Sequence, residues 1–181
     1  MKTIISLNKK QMADALAKEF IGQSLERIDQ NTPKIIKCLD ELDDTDIWKR
    51  PNKSSNSIGN LILHLCGNIT QYIISSLGDM PDQRERDKEF STESGHSKTE
   101  LKKKLVAVIE QAKAIIQNMN AEKLLRKKKV QGFDSSGIGN IIQVTEHYSH
   151  HTGQIIFWTK LLKDKDLAFY AGMDLNKKNE I

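Results

Sequence analysis

The chain has 181 residues, of which 38% are hydrophobic and 29% charged, with only three prolines; that length suits one domain, which buries roughly 70% of its unfolded surface without disulfides or other staples. The net charge of +4 comes from Lys and Arg scattered through helical stretches and does not mark a nucleic-acid binder. Cys38 and Cys66 are too few and too far apart for a disulfide framework or a C-x-x-C site, so both read as reduced thiols in a reducing compartment.

The opening M-K-T-I-I-S-L-N-K-K has an apolar core too short for a signal peptide, and no run reaches transmembrane length. The expected location is the cytoplasm, with no membrane partner. From about Lys9 to Leu42 the pattern is helical, with Ile21, Leu25, Ile28, Thr32, Ile35, Leu39 and Leu42 alternating at spacings of four and three. Pro33 lacks a donor and crowds the carbonyl of Asp29, which predicts a kink near 29–33 or a break into two helices. D-D-T-D at 43–46 ends the helix, and Pro51 punctuates a loop that supplies Ser and Asn caps before Ile58.

The second predicted helix, about Ser57 to Leu77, lies in a run from Ser54 to Gly78 with no charged side chain. It must be mostly buried. Asn60, His64, Gly67, Asn68 and Gln71 form a neutral polar stripe along it, the composition expected of a cavity wall rather than of a face in bulk water. Cys66 lies on another face from His64. A connection from Gly78 to Ser97, carrying R-E-R-D-K-E-F, is long for a compact domain and reads as functional or as a crossover between parallel helices. Thr99 to Asn118 is an ordinary amphipathic helix, and the basic run Arg126 to Lys129 reads as a solvated loop rather than a nucleic-acid contact. The last predicted helix, Ile138 to Leu162, opens with I-G-N-I-I, echoing I-G-N-L-I at Ile58. The patch L-A-F-Y-A-G-M then docks back on the body, and the chain frays from about Asn176.

Three of the five histidines fall in E-H-Y-S-H-H-T-G-Q, Glu146 to Gln154, where Glu146 is the one charged side chain between Asp134 and Lys160. His147 and His151, four apart, project from one helix face and can approach a single ion. With His64 they make a three-imidazole set with open positions, the pattern of a catalytic rather than a closed structural site. His150, three residues from His147, is the alternative to His151, which is preferred because it shares the seam Asn140, Val144, His147, His151, Gln154 and Trp158. Imidazole suits Zn²⁺, with Ni²⁺, Fe²⁺ and Mn²⁺ also compatible. Tyr148 follows His147 where a zincin has Glu, so peptide hydrolysis loses its general base. Gln71, Asn68, Tyr148 and Gln154 are further cavity candidates, and Cys66 is a small buried hydrophobe rather than a nucleophile.

The segments D-I-W-K-R-P-N-K-S-S-N-S-I-G-N-L-I-L-H-L and E-H-Y-S-H-H-T-G-Q-I resemble the DinB/YfiT-like metalloenzyme family across most of residues 10–165. That resemblance implies an all-α four-helix bundle of up-down-down-up topology, filling 1–181 as a single domain. It also implies a divalent metal held by His64, His147 and His151. Characterised relatives include thiol S-transferases that use low-molecular-weight thiols such as bacillithiol or mycothiol, which makes such a thiol the expected cosubstrate and a small molecule its partner, and allows a homodimer. The alternative is a non-catalytic metal- or ligand-binding bundle or dimerisation module.

Overall fold

A computed structural model describes residues 8–180; the N-terminal M-K-T-I-I-S-L read above and the terminal Ile181 lie outside the described residues. Helix α1 spans Lys9–Glu41 and starts on a capping box in which Asn8 and Gln11 bond each other's backbone N–H at 2.9 Å. It does not break at Pro33, contrary to one of the two outcomes predicted for it. Pro33 and Asp29 both lie on the exposed face, so the freed carbonyl is not trapped in the core. In the same turn the Asn31 carboxamide and the Thr32 hydroxyl donate to the carbonyls of Arg27 and Ile28 at 2.9 and 2.8 Å. Ile21, Ile28, Ile35, Leu39 and Leu42 of the expected seam are buried.

A short 3₁₀ turn, Asp46–Trp48, leads into the loop. Asp46 is buried there and pairs with Lys163 and with Lys49, whose hydrogen bonds hold its carboxyl well below the usual carboxylate range. Helix α2, Ile58–Ile69, begins on a Ser57/Asn60 capping box and is buried almost all round, as its missing charges require. It passes without a break into a wider π-helical turn, Thr70–Ser75, where Ser76 and Gly78 donate to carbonyls five residues back at 3.2 and 2.9 Å.

The 78–97 connection contains a short helix, α3, Arg86–Ser91, which packs on α2. The Asn60 carboxamide clamps it by donating to the carbonyls of Glu89 and Thr92 at 3.0 and 2.6 Å. Arg50 donates to the Phe90 carbonyl at 2.9 Å, and the Trp48 indole to the His96 carbonyl at 3.1 Å. Helix α4, Lys98–Gln117, follows close to the predicted bounds, then a short α5, Ala121–Leu125.

The all-α expectation needs one correction. The basic run forms strand β1, Lys127–Val130, which pairs antiparallel with β2, Phe133–Ser136. Gln131 and Gly132 both take positive φ, 51° and 84°, the geometry of the two-residue turn whose twist matches a hairpin. Lys128 of this run is engaged by Asp79 and the Ser76 carbonyl.

Helix α6, Gly137–Lys163, completes the long elements and packs on α1 and α2; α4 also packs on both. Their shared core includes Ile28, Ile35, Ile62, Leu65, Ile69, Leu101, Leu105 and Ile141. After α6 the chain folds back as expected, with Leu167 buried and Phe169 packed against the core. Among the described residues no helix is long and apolar enough to cross a membrane.

Candidate metal centre

Helices α2 and α6 bring His64, His147 and His151 together, with one ring nitrogen from each lying within 4.8 Å of the others. His64 is buried and the other two are half-buried. The His64 and His147 Nε2 atoms are 2.8 Å apart, although 83 residues separate them in the chain. The ring of His151 stands nearly perpendicular to both, with centroids 5.1 Å from His64 and 4.4 Å from His147.

The outer nitrogens decide what the inner ones can do. His64 Nδ1 lies 2.8 Å from Glu89 Oε2. A carboxylate can only accept, so this contact places the proton on Nδ1 and leaves the Nε2 lone pair facing His147. Arg84 Nη2 is also 3.2 Å from Nδ1, but a protonated Nδ1 cannot accept from it. The guanidinium spends its donors elsewhere, gripping Glu89 in a fork at 2.7 and 2.9 Å and reaching Gln71 Oε1 at 2.9 Å. Gln71 in turn donates to Asp82 at 2.8 Å. Burial raises the Glu89 pKa, but hydrogen bonds and charge from Arg84 and His64 outweigh it, and the carboxyl titrates below its ordinary value. On the other ligand, His151 Nδ1 donates to Gln154 Oε1 at 2.6 Å, which frees its Nε2 in the same way.

Gly67 explains how Glu89 comes so close. A Cβ at that position would sit 1.9 Å from Glu89 Oε1, so only a residue without a side chain lets the carboxylate lie against α2. The neutral polar stripe on α2 is therefore not an open cavity wall along its length. Much of it receives the Arg84–Glu89 pair, whose side chains are 3% and 9% exposed.

The donor set fits a divalent cation of borderline softness. Burial first, and then the neighbouring histidines, push the His147 pKa down to about 4. Burial does the same for His151, also to about 4, against the opposing effect of the hydrogen bond it donates to Gln154. Both rings are thus neutral near pH 7, as ligands must be. His64, His147 and His151 would hold such a cation, with the His64 and His147 Nε2 atoms, now 2.8 Å apart, opening slightly to share it.

The same shifts give the metal-free protein an acid-sensitive window. In the unfolded chain a histidine titrates near pH 6.5, about 2.5 above the folded values, so the unfolded state binds more protons between pH ~6.5 and ~4. Stability is complete above that window and falls as the pH drops through it. Melting curves of chelator-treated protein should show Tm constant from pH 8 to 7 and declining from about 6.5 downward. A Tm that rises on acidification would contradict the geometry.

The remaining candidates divide. His150 is exposed and meets Gln154 Nε2 at 3.2 Å, at the border of the cluster and outside the triad. Glu146 is exposed. Tyr148 is not a cavity residue: it is 1% exposed in the core, with its hydroxyl 3.0 Å from Thr32 Oγ1. Asn68 is buried one turn beyond His64, with its Oδ1 unpartnered among the described residues. Burial raises both thiol pKa values, Cys66 to about 12 and Cys38 to about 11, which leaves both inert at neutral pH. Sequence reasoning missed Glu89 and Arg84 as partners of the site. The available signal was an acid and a base five residues apart, in a connection that crosses an uncharged helix.

No curated protein matches the chain. Among solved structures, a DinB-like protein from Bacillus cereus is 18% identical, covering 77% of this chain and 90% of its own at a TM-score of 0.63. A DinB-like protein from Bacillus subtilis is 16% identical, with 82% and 96% covered and a TM-score of 0.63. A conserved protein from Enterococcus faecalis is 15% identical, with 88% and 100% covered and a TM-score of 0.59. The fold is DinB-like on this evidence, and a family model described as "Protein of unknown function (DUF1572)" matches residues 15–171. With its DinB-like fold and its histidine cluster between α2 and α6, the chain belongs to that family of unknown function.

Proposed function

We propose that the protein is a single-domain four-helix bundle of up-down-down-up order that holds one divalent cation on His64, His147 and His151. Its proposed activity is the transfer of a low-molecular-weight thiol to an electrophile in a reducing, cytoplasmic setting. The observation that carries this reading is the convergence of three imidazoles whose outer nitrogens, on His64 and His151, are already committed to Glu89 and Gln154. The packing of α1 and α2 each against α4 and α6 supports the bundle.

A bound cation of this kind supplies Lewis acidity that lowers the pKa of a thiol toward neutrality. The residues of the chain do the positioning. Glu89, itself fixed by Arg84 and the Asn60 clamp, orients His64, and Gln154 orients His151. In the transfer the thiol proton passes to solvent, the sulfur forms a bond to the electrophilic carbon, and the leaving group departs with its electron pair. Zn²⁺ fits the nitrogen donors, and Ni²⁺, Fe²⁺ and Mn²⁺ are the alternatives to compare.

Conjugation of a model aryl halide with a small thiol tests the activity. Protein loaded with each metal in turn should accelerate it over the uncatalysed rate, and chelation or His147→Ala should remove the acceleration. Loaded wild-type protein that leaves the rate at background with every metal would rule out thiol transfer and leave a metal-binding bundle.

A further inference from the structure

Beside the histidine cluster, α6 and the 51–56 loop line a solvent-open cleft of about 700 Å³, within the range of small-molecule sites. Its α2 and α6 walls include Leu61, His150, Gly153, Gln154, Phe157 and Trp158. Gln154 belongs to both places, since its Oε1 accepts from His151 Nδ1 at 2.6 Å while its side chain lines the cleft. Leu61 stands one turn before His64 on α2.

Three properties narrow what the cleft takes. Among the described residues no Lys, Arg, Asp or Glu lines it, although such residues make up 29% of the chain. A charged ligand group seated there would find no Lys, Arg, Asp or Glu counter-charge to offset its lost hydration. On its aromatic side Trp158 is preset, half-buried with its indole N–H donating to the Lys49 carbonyl at 3.0 Å, while Phe157 beside it is 69% exposed and offers its ring to a ligand. Its polar side is preset too, because Asn52 Oδ1 accepts from Ser54 N and Ser55 Oγ, both at 3.0 Å, and stitches the loop upon itself. Walls that are ordered beforehand cost a ligand little entropy.

We propose that this cleft is the binding site of an uncharged, aromatic small molecule, seated on Phe157 and Trp158 and reaching the histidine cluster past Gln154. That this molecule is the electrophile rests on the thiol-transfer reading; that the cleft binds it does not. An anionic thiol belongs elsewhere.

Two fluorescent probes of one ring skeleton separate these statements: neutral N-phenylnaphthylamine and its anionic relative anilinonaphthalene sulfonate. Each is titrated into the full chain with and without zinc. The neutral probe should bind about tenfold or more tightly than the anion. A Cβ added at Gly153 meets nothing within 4 Å, so Gly153→Phe should fold and fill the cleft. It should weaken the neutral probe by about tenfold or more while leaving zinc affinity unchanged. Phe157→Ser, at an exposed position, is the second variant and should weaken the probe in the same direction. Equal affinity for the two probes, no probe binding, or binding insensitive to both substitutions overturns the proposal. Probe binding lost in proportion to self-association would give the face to a second copy of the chain and also overturn it. Failure of zinc to bind leaves the titrations without metal as the test, so loss of the metal reading and loss of the cleft reading are told apart.

Discussion

Replacing any one of His64, His147 and His151 by Ala should lower metal affinity by more than about 100-fold, exceeding the loss ordinarily seen when only an outer-shell partner is removed. His150→Ala should change it by no more than about threefold, because that ring meets Gln154 and stays at the border of the cluster. Metal content of untagged protein, with competition against a chromophoric chelator, gives both numbers. One equivalent per wild-type chain is expected. Retention of metal by His151→Ala together with loss in His150→Ala would move the ligand by one residue and redraw the site. Wild-type protein that holds no metal after reconstitution would end the metal reading altogether.

The second large effect lies outside the triad. Glu89→Ala should destabilise the fold by about 3–5 kcal/mol, because it strands the Arg84 guanidinium, 3% exposed, without its counter-charge. For a chain of this size that lowers Tm by about 6–20 °C in thermal melts. The double replacement Arg84→Met with Glu89→Leu removes both charges and should recover most of the loss. Metal affinity separates the two roles of the carboxylate. In the double variant the fold returns, but His64 has lost the acceptor that held its Nδ1 proton, so affinity should stay about 10–100-fold below wild type. Recovery of both stability and metal affinity would show that Glu89 acts only as a structural counter-ion.

How much of this was legible in the sequence follows from what kind of signal each part leaves. The long helices announce themselves because burial on one side imposes a period on the chain. The bounds of α4 and α6 fall within a residue or so of expectation for that reason. The convergence of His64, His147 and His151 was legible too, since an uncharged α2 and an α6 whose one charge before Lys160 is Glu146 leave histidine as the conspicuous polar group on each. The hairpin was not. Its strands are four residues long with Val130 their one buried residue, so no apolar alternation marks them, and its turn depends on Gln131 tolerating a left-handed backbone. Glu89 left only the weak signal of an acid five residues from Arg84, for another reason. Contact between an acid in a connection and a helix twenty-five residues earlier depends on Gly67 making room and on Asn60 holding the backbone, a tertiary condition with no local period.

The wide turn at Thr70–Ser75 bears on how this chain tolerates changes of length. A π turn holds one residue more than an α-helical path between the same two ends, so it behaves as an insertion absorbed inside the helix. Losing one residue from that turn can regularise the backbone while His64 upstream and Ser76 downstream keep their partners on α6. Losing one between Leu61 and His64 has no such slack, and swings the imidazole about 100° away from its mates. Within a single uncharged helix, the two halves therefore differ in their freedom to drift: the half that carries the imidazole is locked to its count, and the half that carries Gln71 is not.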